Sequence, residues 1–528
     1  MADMDTTNTE SLVDSTSKES LTTRVVKGAG WVFLGKVAGR GMQMLKLIIL
    51  ARLLAPEDFG LFGIVMLALA ILETFTQTGF DTALIQRKGD IGEYLDTAWT
   101  VQVIRRLILA AVLFSGAPLV GWFFNEARAV PLMRLMSLSV ALSGFVNIGI
   151  VYFQKELQFH RQVAYNVLSE VVGLTVGIVL AYRLRNVWAL VWAGVAAAGA
   201  RSVLSYVLHP YRPRPKLDPT HARQLFRFGR WVLGSSVMIY AGMYLDNLMV
   251  GKLLGTAALG FYAMAYRLSL LPLEETTYAV SGVLLPGYAK VQNDRRRLQR
   301  VYERAVALTG LLSVPACLGM VLLARPTVRL VLGEQWLPVV LPIQLLAFAQ
   351  LIKSVASTGS SFFLGSGRPQ YEFYAQVARV IGLVACIVPA ILLFGLEGAA
   401  LAVVVSALSM FAAYFYCLGR VLDRPTRVLG RALIPPLVGG AAMMAALAYP
   451  AVVLSRYSGA FVNQALLLLA AIVAGAIVYF PTCLGVCALY SESSVLSDLR
   501  NFLQTLKRMW ESLRSGHAHG RADATEVI

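Results

Sequence analysis

The stretch GWVFLGKVAGRGMQMLKLIILARLL, residues 30–54, decides how the chain is read. Its length suits the hydrocarbon core of a bilayer, which takes about 20 residues of helix. Yet Lys36, Arg40 and Lys46 stand inside it. On a helix, Lys36, Arg40 and Gln43 recur at spacings of four and three and share one face, with Lys46 at its edge. A cation near the bilayer centre costs roughly 2.5–3.5 kcal/mol on insertion scales. These cations therefore face water, a partner helix or an anionic cargo rather than lipid.

The rest of the chain is of the same kind. Of its 528 residues 57% are hydrophobic and only 15% charged, against roughly a quarter charged in soluble domains. Mean hydropathy is +0.64. Membrane-length apolar stretches recur from end to end and predict an all-α integral membrane protein of about 14 transmembrane helices. Their centres lie near positions 42, 69, 110, 142, 172, 197, 242, 270, 314, 348, 384, 409, 443 and 474. The net charge of +17 is not a nucleic-acid footprint, because of where it sits. With a cytoplasmic N-terminus, the inner short loops hold about 21 Lys and Arg and the outer loops about 8. This bias predicts that both termini are cytoplasmic. Residues 1–28 are polar and Ser/Thr-rich, without a cleavable signal. The five cysteines, including Cys483 and Cys487, fall in apolar segments and read as small core residues. His517 and His519 are too weak a pair for a metal site, so no metal and no cofactor is expected.

A repeat runs at an offset of about 200 residues. Trp31-Val32 recurs as Trp231-Val232, Arg52-Leu53-Leu54 as Lys252-Leu253-Leu254, and Gly60 as Gly260. It predicts two pseudo-symmetric six-helix lobes, residues 29–208 and 231–421, joined by a basic cytoplasmic linker at 209–230. Six spans per lobe is an even number, so the lobes share one orientation, as parallel halves do around the central site of many transporters. Segments within 432–486 form an added C-terminal helix pair. Residues 491–528 carry Leu496, Leu499, Phe502, Leu503, Leu506 and Trp510 at helical spacing, an amphipathic tail for the inner membrane surface.

Several further ionisable residues fall within spans. Glu170 and Arg201 lie at similar depth on consecutive spans and fit a structural ion pair, with Arg105 and Arg106 as further partners or snorkelling to the interface. The repeat superposes Lys46 on Asp246 and Arg40 on Tyr240, so that the first span of one lobe faces that of the other across a central cavity. One wall would be cationic, from Lys36, Arg40 and Lys46. The other would be aromatic and acidic, from Tyr240, Tyr244, Asp246 and Asn247, with Gln43 adding an amide. Glu73 and Asp246 are candidates for ion or proton coupling, since burial raises a carboxylate's pKa. For Glu73, a fixed ion pair with Lys36 or Arg40 is the equal alternative. No Walker loop, nucleophile elbow or metal-ligand cluster is present, so no enzyme activity is expected. Transport would be driven by an ion gradient, the membrane potential or the cargo gradient.

Two stretches, ARLLAPEDFGLFG (Ala51 to Gly63) and GFDTALIQRKGD (Gly79 to Asp90), resemble the start of bacterial polysaccharide transporters. These are the O-antigen and colanic-acid type, Wzx-like flippases of the multidrug/oligosaccharidyl-lipid/polysaccharide superfamily. The resemblance implies a cargo of undecaprenyl-pyrophosphate-linked oligosaccharide. That cargo would be carried from the inner to the outer leaflet of the bacterial cytoplasmic membrane by alternating access, for exopolysaccharide or lipopolysaccharide export. It implies the lipid bilayer, a polysaccharide polymerase and export machinery as partners, and no nucleic acid. In related lipid II flippases an extra helix pair offers a groove for the lipid tail, a role open to the pair within 432–486 here. Lys36 and Arg40, with Lys46, would capture the pyrophosphate, while Tyr240, Tyr244, Asn247 and Gln43 meet the sugars. A multidrug exporter of the same superfamily, which would favour acidic cavity residues, and a non-transporting scaffold for polysaccharide assembly are the rival readings. A polymerase or ligase would require a large extracytoplasmic loop, which the short outer loops do not provide.

Overall fold

A computed structural model describes residues 21–75, 92–156, 158–216, 242–270, 288, 294–422, 424–457 and 460–489, and among these every regular element is helical. Tyr240, the amphipathic tail and most of the basic linker lie outside the described residues. The chain divides into two compact units. One runs to Ala263 and includes Val331–Trp336; the other comprises Met264–Leu330 and the chain from Leu337.

The first unit begins with α1 (Leu21–Leu53) and α2 (Pro56–Phe75). The break between them is written locally. A residue before proline is pushed out of the α region, and Pro56 then opens α2 at the position where its missing N–H does no harm. The Asp58 carboxylate accepts the Ala55 N–H at 3.0 Å and the Val187 N–H at 2.9 Å. The last carbonyls of α1 lack intrahelical donors, and residues 331–336 supply them. Gln335 Nε2 donates to Ala51 O at 2.7 Å and Trp336 Nε1 to the same oxygen at 2.8 Å. The Trp336 ring is fully buried, edge-on to Phe59 and Phe261.

Next come α3 (Gly92–Phe124), α4 (Ala129–Gly144), a 3-10 turn (Ile148–Ile150), the short α5 (Val151–Lys155), α6 (Phe159–Leu184) and α7 (Trp188–Leu208). Helix α6 packs on both α1 and α7, and α4 on both α3 and α7. The α6–α7 contact rests on small residues. Gly173 faces Ala197 and Gly177 faces Ala193, both so close that a Cβ would touch the alanine methyl at about 3 Å. Such spacing lets helix backbones approach where lipid supplies no hydrophobic drive. The span predicted around position 142 is bent by 65° between Gly144 and Ile148.

The last helix of this unit, α8 (Gly242–Leu270), continues into the second unit. Gly255 has φ 83°, and Tyr262 Oη donates to Asp246 Oδ2 at 2.8 Å. Sixteen residues of straight helix would separate that pair by about 24 Å, so the chain reverses at Gly255 and α8 is a hairpin.

The second unit holds α9 (Arg295–Val331), α10 (Val340–Gly365), α11 (Pro369–Gly419), α12 (Pro425–Arg456) and α13 (Phe461–Leu489). Helix α11 is also two arms, meeting at Gly395 with φ 60°. Ser406 donates to Arg379 O at 2.8 Å across them. One core joins α9, α10, α11 and α12 around Tyr302, Phe362, Phe363 and Tyr414, and another joins α9 to α12 and α13 around Cys317, Met443 and Tyr479.

Each centre predicted from sequence falls within a described helix. Among the described residues nine helices are long and apolar enough to cross a membrane, or ten with the bent pair counted as one span. The sequence expectation of about 14 differs because α8 and α11 each absorb two predicted segments and because α1 and α2 are not among the nine. Leu392, Leu393 and Ile477 stand more than 60% exposed, as lipid-facing side chains do. The protein is a multi-pass membrane protein.

Candidate functional site

The polar interior of the first unit is built on α6. With Ser169, Gly173 and Gly177 buried against α7, Gln162, Asn166 and Glu170 recur every fourth residue on an adjoining face. Helix α1 crosses this face at Gly35, where a Cβ would strike Val163. Gly39, one turn on, has no atom within 4 Å of its absent Cβ. The gap there is a cavity of about 670 Å³, lined by Lys36, Gly39 and Gln43 of α1, by Gln162, Asn166 and Glu170 of α6, and by Arg201 of α7. Arg201 Nη2 donates to Glu170 Oε1 at 2.7 Å, the ion pair expected from sequence.

A second cavity of about 330 Å³ adjoins it. Gln154, Gln162 and Asn166 line both, forming an amide collar between the chambers. Its other walls are Gln102, Arg105 and Arg106 of α3 and the bent segment from Ser143 to Val151. Non-helical backbone at membrane depth needs partners for its freed groups, and here side chains provide them. Gln102 Nε2 donates to Gly144 O at 3.1 Å and to Val146 O at 3.2 Å. Ser202 Oγ donates to Leu142 O, and Ser205 Oγ accepts the Asn147 N–H at 2.9 Å. Asn147 is fully buried, and its Nδ2 donates to Tyr211 O at 2.6 Å. The residues after α7 thus run as a strap over the bend, with the His209 ring stacked on Tyr152 at 5.7 Å. Burial holds the His209 imidazole below its ordinary pKa.

The electrostatics are one-sided. Among the described residues, Lys36, Arg105, Arg106 and Arg201 line the two chambers, against the one lining carboxylate of Glu170. Glu73 of α2 accepts from Arg106 of α3, a partner the sequence reading did not weigh for it. Arg40 and Lys46 are half-buried on α1 and do not line either chamber.

Asp246 is 2% exposed and turned into the α8 hairpin, accepting from Tyr262 Oη and from the Asn247 N–H at 2.8 Å. Asn247 is 9% exposed beside it. Neither these residues nor half-buried Tyr244 line the two chambers. Sequence reasoning missed Gln102, Gln154 and Gln162. Gln162 carried a legible signal, one turn before Asn166 and Glu170 on the same stripe. Gln154 lay behind the bend and gave none.

Multiple lipid-facing helices around a cation-rich, amide-lined interior define a multi-pass membrane protein with a polar chamber inside its first unit. Residues 49–341 match the sequence model described as polysaccharide biosynthesis protein, and the chain belongs to that family. It is 25% identical over 419 residues to the lipopolysaccharide biosynthesis protein WzxC of Escherichia coli, covering 77% of this chain and 84% of that one. It is 24% identical over 357 residues to the succinoglycan biosynthesis transport protein ExoT of Rhizobium meliloti, covering 68% and 72%. Among solved structures the fold resembles the lipid II flippase MurJ in an inward closed conformation, with TM-score 0.66, 13% identity and coverage of 86% of this chain and 99% of that one. It also resembles an inward-facing multidrug resistance MATE family transporter, with TM-score 0.56, 17% identity and coverage of 72% and 94%.

Proposed function

We propose that the chain is a flippase that moves undecaprenyl-pyrophosphate-linked oligosaccharide from the inner to the outer leaflet of the bacterial cytoplasmic membrane by alternating access. Its termini would both be cytoplasmic. The observation that carries this reading is the pair of adjoining chambers, rich in guanidinium and ammonium groups and collared by amides. A pyrophosphate cannot cross hydrocarbon bare, and charge-assisted hydrogen bonds from Lys36, Arg105 and Arg201 substitute for its hydration shell. Arg40 and Lys46 add positive potential behind Lys36. Sugar hydroxyls need groups that both donate and accept, which Gln43, Gln154, Gln162 and Asn166 supply. The polyprenyl tail stays in lipid. Tyr240, Tyr244 and Asn247 are kept as a contribution from the following helices to the sugar path, with Glu73 and Asp246 as coupling carboxylates. The names of the similar proteins, for lipopolysaccharide biosynthesis, succinoglycan transport and lipid II flipping, support the cargo class. The excess of cations over carboxylates disfavours a drug-cation exporter.

Equilibrium binding of undecaprenyl diphosphate and undecaprenyl monophosphate to the purified protein tests the reading. The diphosphate is expected to bind at least tenfold tighter, and Lys36→Gln to narrow that ratio. Equal binding of the two lipids would remove the basis for headgroup capture.

A further inference from the structure

At the start of α12, Arg424, Arg427 and Arg431 line a pocket of about 270 Å³ together with Gln299 and Glu303 of α9. Arg424 reaches it from the left-handed region, with φ 57°, a conformation uncommon for a non-glycine residue. The pocket has a firm apolar floor, because Leu298, Tyr302, Val428 and Leu429 pack there in one core. Among the described residues that line it, three guanidiniums face one carboxylate, an excess of positive charge to which the positive end of the α12 dipole adds.

Its depth in the membrane follows from length. Helix α12 has 32 residues, about 48 Å at the usual helical rise, well beyond the ~30 Å hydrocarbon core. Arg424 at its N-cap and Arg427 and Arg431 in its first two turns are cations that lipid disfavours, which puts this overhanging end at headgroup level. Below them the same face turns apolar. Arg427, Arg431, Ile434 and Val438 follow spacings of four, three and four and share one face. Ile434 is 36% exposed and Val438 42%, with Leu437 beside them at 48%. A cationic cup directly above an exposed apolar track has the shape of an amphiphile. The cup is smaller than the roughly 300–1,000 Å³ of a pocket that encloses a whole small molecule, so it holds a headgroup only.

We infer that this pocket binds the headgroup of an acidic phospholipid of the surrounding bilayer, whose acyl chain lies along Ile434 and Val438. Basic pockets between membrane helices are sites of this kind. The bound lipid would tie the start of α12 to α9. The inference stands apart from the cargo reading, since it concerns the second unit and a resident lipid.

Native mass spectrometry of the full chain in detergent, titrated with phosphatidylglycerol, cardiolipin or phosphatidylcholine, tests it. Acidic lipids are expected to be retained at least tenfold more tightly than phosphatidylcholine. R427Q/R431Q should lose about tenfold of that preference and R427K/R431K should keep most of it. Equal retention of phosphatidylcholine, or an unchanged preference in the glutamine variant, would overturn the proposal. Two competitors separate the sources of phosphate. Inorganic phosphate that displaces phosphatidylglycerol at matching concentration would make this a soluble-anion site. Undecaprenyl diphosphate that displaces bound phosphatidylglycerol at lower concentration than phosphatidylglycerol itself, in K36Q/R105Q as well as in the wild type, would make it a cargo site. Either result overturns the lipid assignment. If the glutamine variant does not fold, salt titration of the wild type decides. Screening should erase the preference, and a preference that survives high salt contradicts a charge-based pocket.

Discussion

Gly60 and Gly260, two hundred positions apart and equivalent in the sequence repeat, cross backbone to backbone. A Cβ on Gly60 would run into the Thr256 carbonyl and lie 3.1 Å from the Gly260 nitrogen; one on Gly260 would run into the Pro56 carbonyl. The helix starts after the two matching breaks, at residues 55 and 255, thus pack on each other through the residues the repeat preserves. Gly60→Ala or Gly260→Ala should destabilise by on the order of 1–3 kcal/mol, as overpacking does. Gly116→Ala, where nothing lies within 4 Å, should not. Thermal unfolding midpoints in detergent check this, and an unshifted Gly60→Ala would mean that the crossing is looser than described.

The Asp246–Tyr262 bond closes the α8 hairpin away from solvent. Tyr262→Phe removes a donor from the buried Asp246 carboxylate, a loss that typically costs about 1–3 kcal/mol. Asp246→Asn should cost a similar amount, and the double variant less than the sum, since both remove one interaction. Strict additivity in the unfolding midpoints would show that the two residues act independently.

Glu170 and Arg201 are a half-exposed pair, with side chains 25% and 47% accessible. Water screens such a pair, so its coupling should be modest, about 0.5–1 kcal/mol in a double-mutant cycle. Reversing both charges should recover part of the stability that either single reversal loses. A coupling indistinguishable from zero would leave Arg201 available to the cargo in the resting state.

His209 gives the strap over the helix bend a pH dependence. Burial lowers its pKa from the ordinary 6.5, and its Nδ1 accepts the Tyr211 N–H at 3.2 Å, which only a neutral ring can do. The unfolded or detached strap binds the proton more readily. The stabilisation is therefore complete above pH ~6.5 and is lost as pH falls through the depressed folded value. Hydrogen exchange of the Tyr211 amide, corrected for its intrinsic rate, should lose protection on acidification in wild type and not in His209→Gln. Protection that is flat with pH in the wild type would contradict this.

The membrane class, the helix positions and the Glu170–Arg201 pair were legible because burial in lipid imposes a simple rule on composition and because charges at matching depth seek each other. The bend after Gly144 was not, since Gln102, Ser202 and Ser205 satisfy its backbone from other helices and leave no local trace. Glu73 accepts from Arg106 of α3, a pairing that neither residue's position in the sequence singled out. The bond from Tyr262 to Asp246 was not legible, because it depends on the chain reversing at Gly255. The site itself was half visible: Lys36 and Gln43 line it, while Gln102, Gln154 and Gln162 emerged only when the helices were packed.

The central claim is that the α1–α6 cavity carries an anionic lipid headgroup across the membrane. Its most direct test is flipping of a fluorescent undecaprenyl-diphosphate oligosaccharide in proteoliposomes, comparing wild type with folded K36Q/R105Q. The wild type is expected to flip it, and the variant to do so at least tenfold more slowly with thermal stability unchanged. Flipping at the wild-type rate by the variant, or none by the wild type with an oligosaccharide of its own pathway, would contradict it.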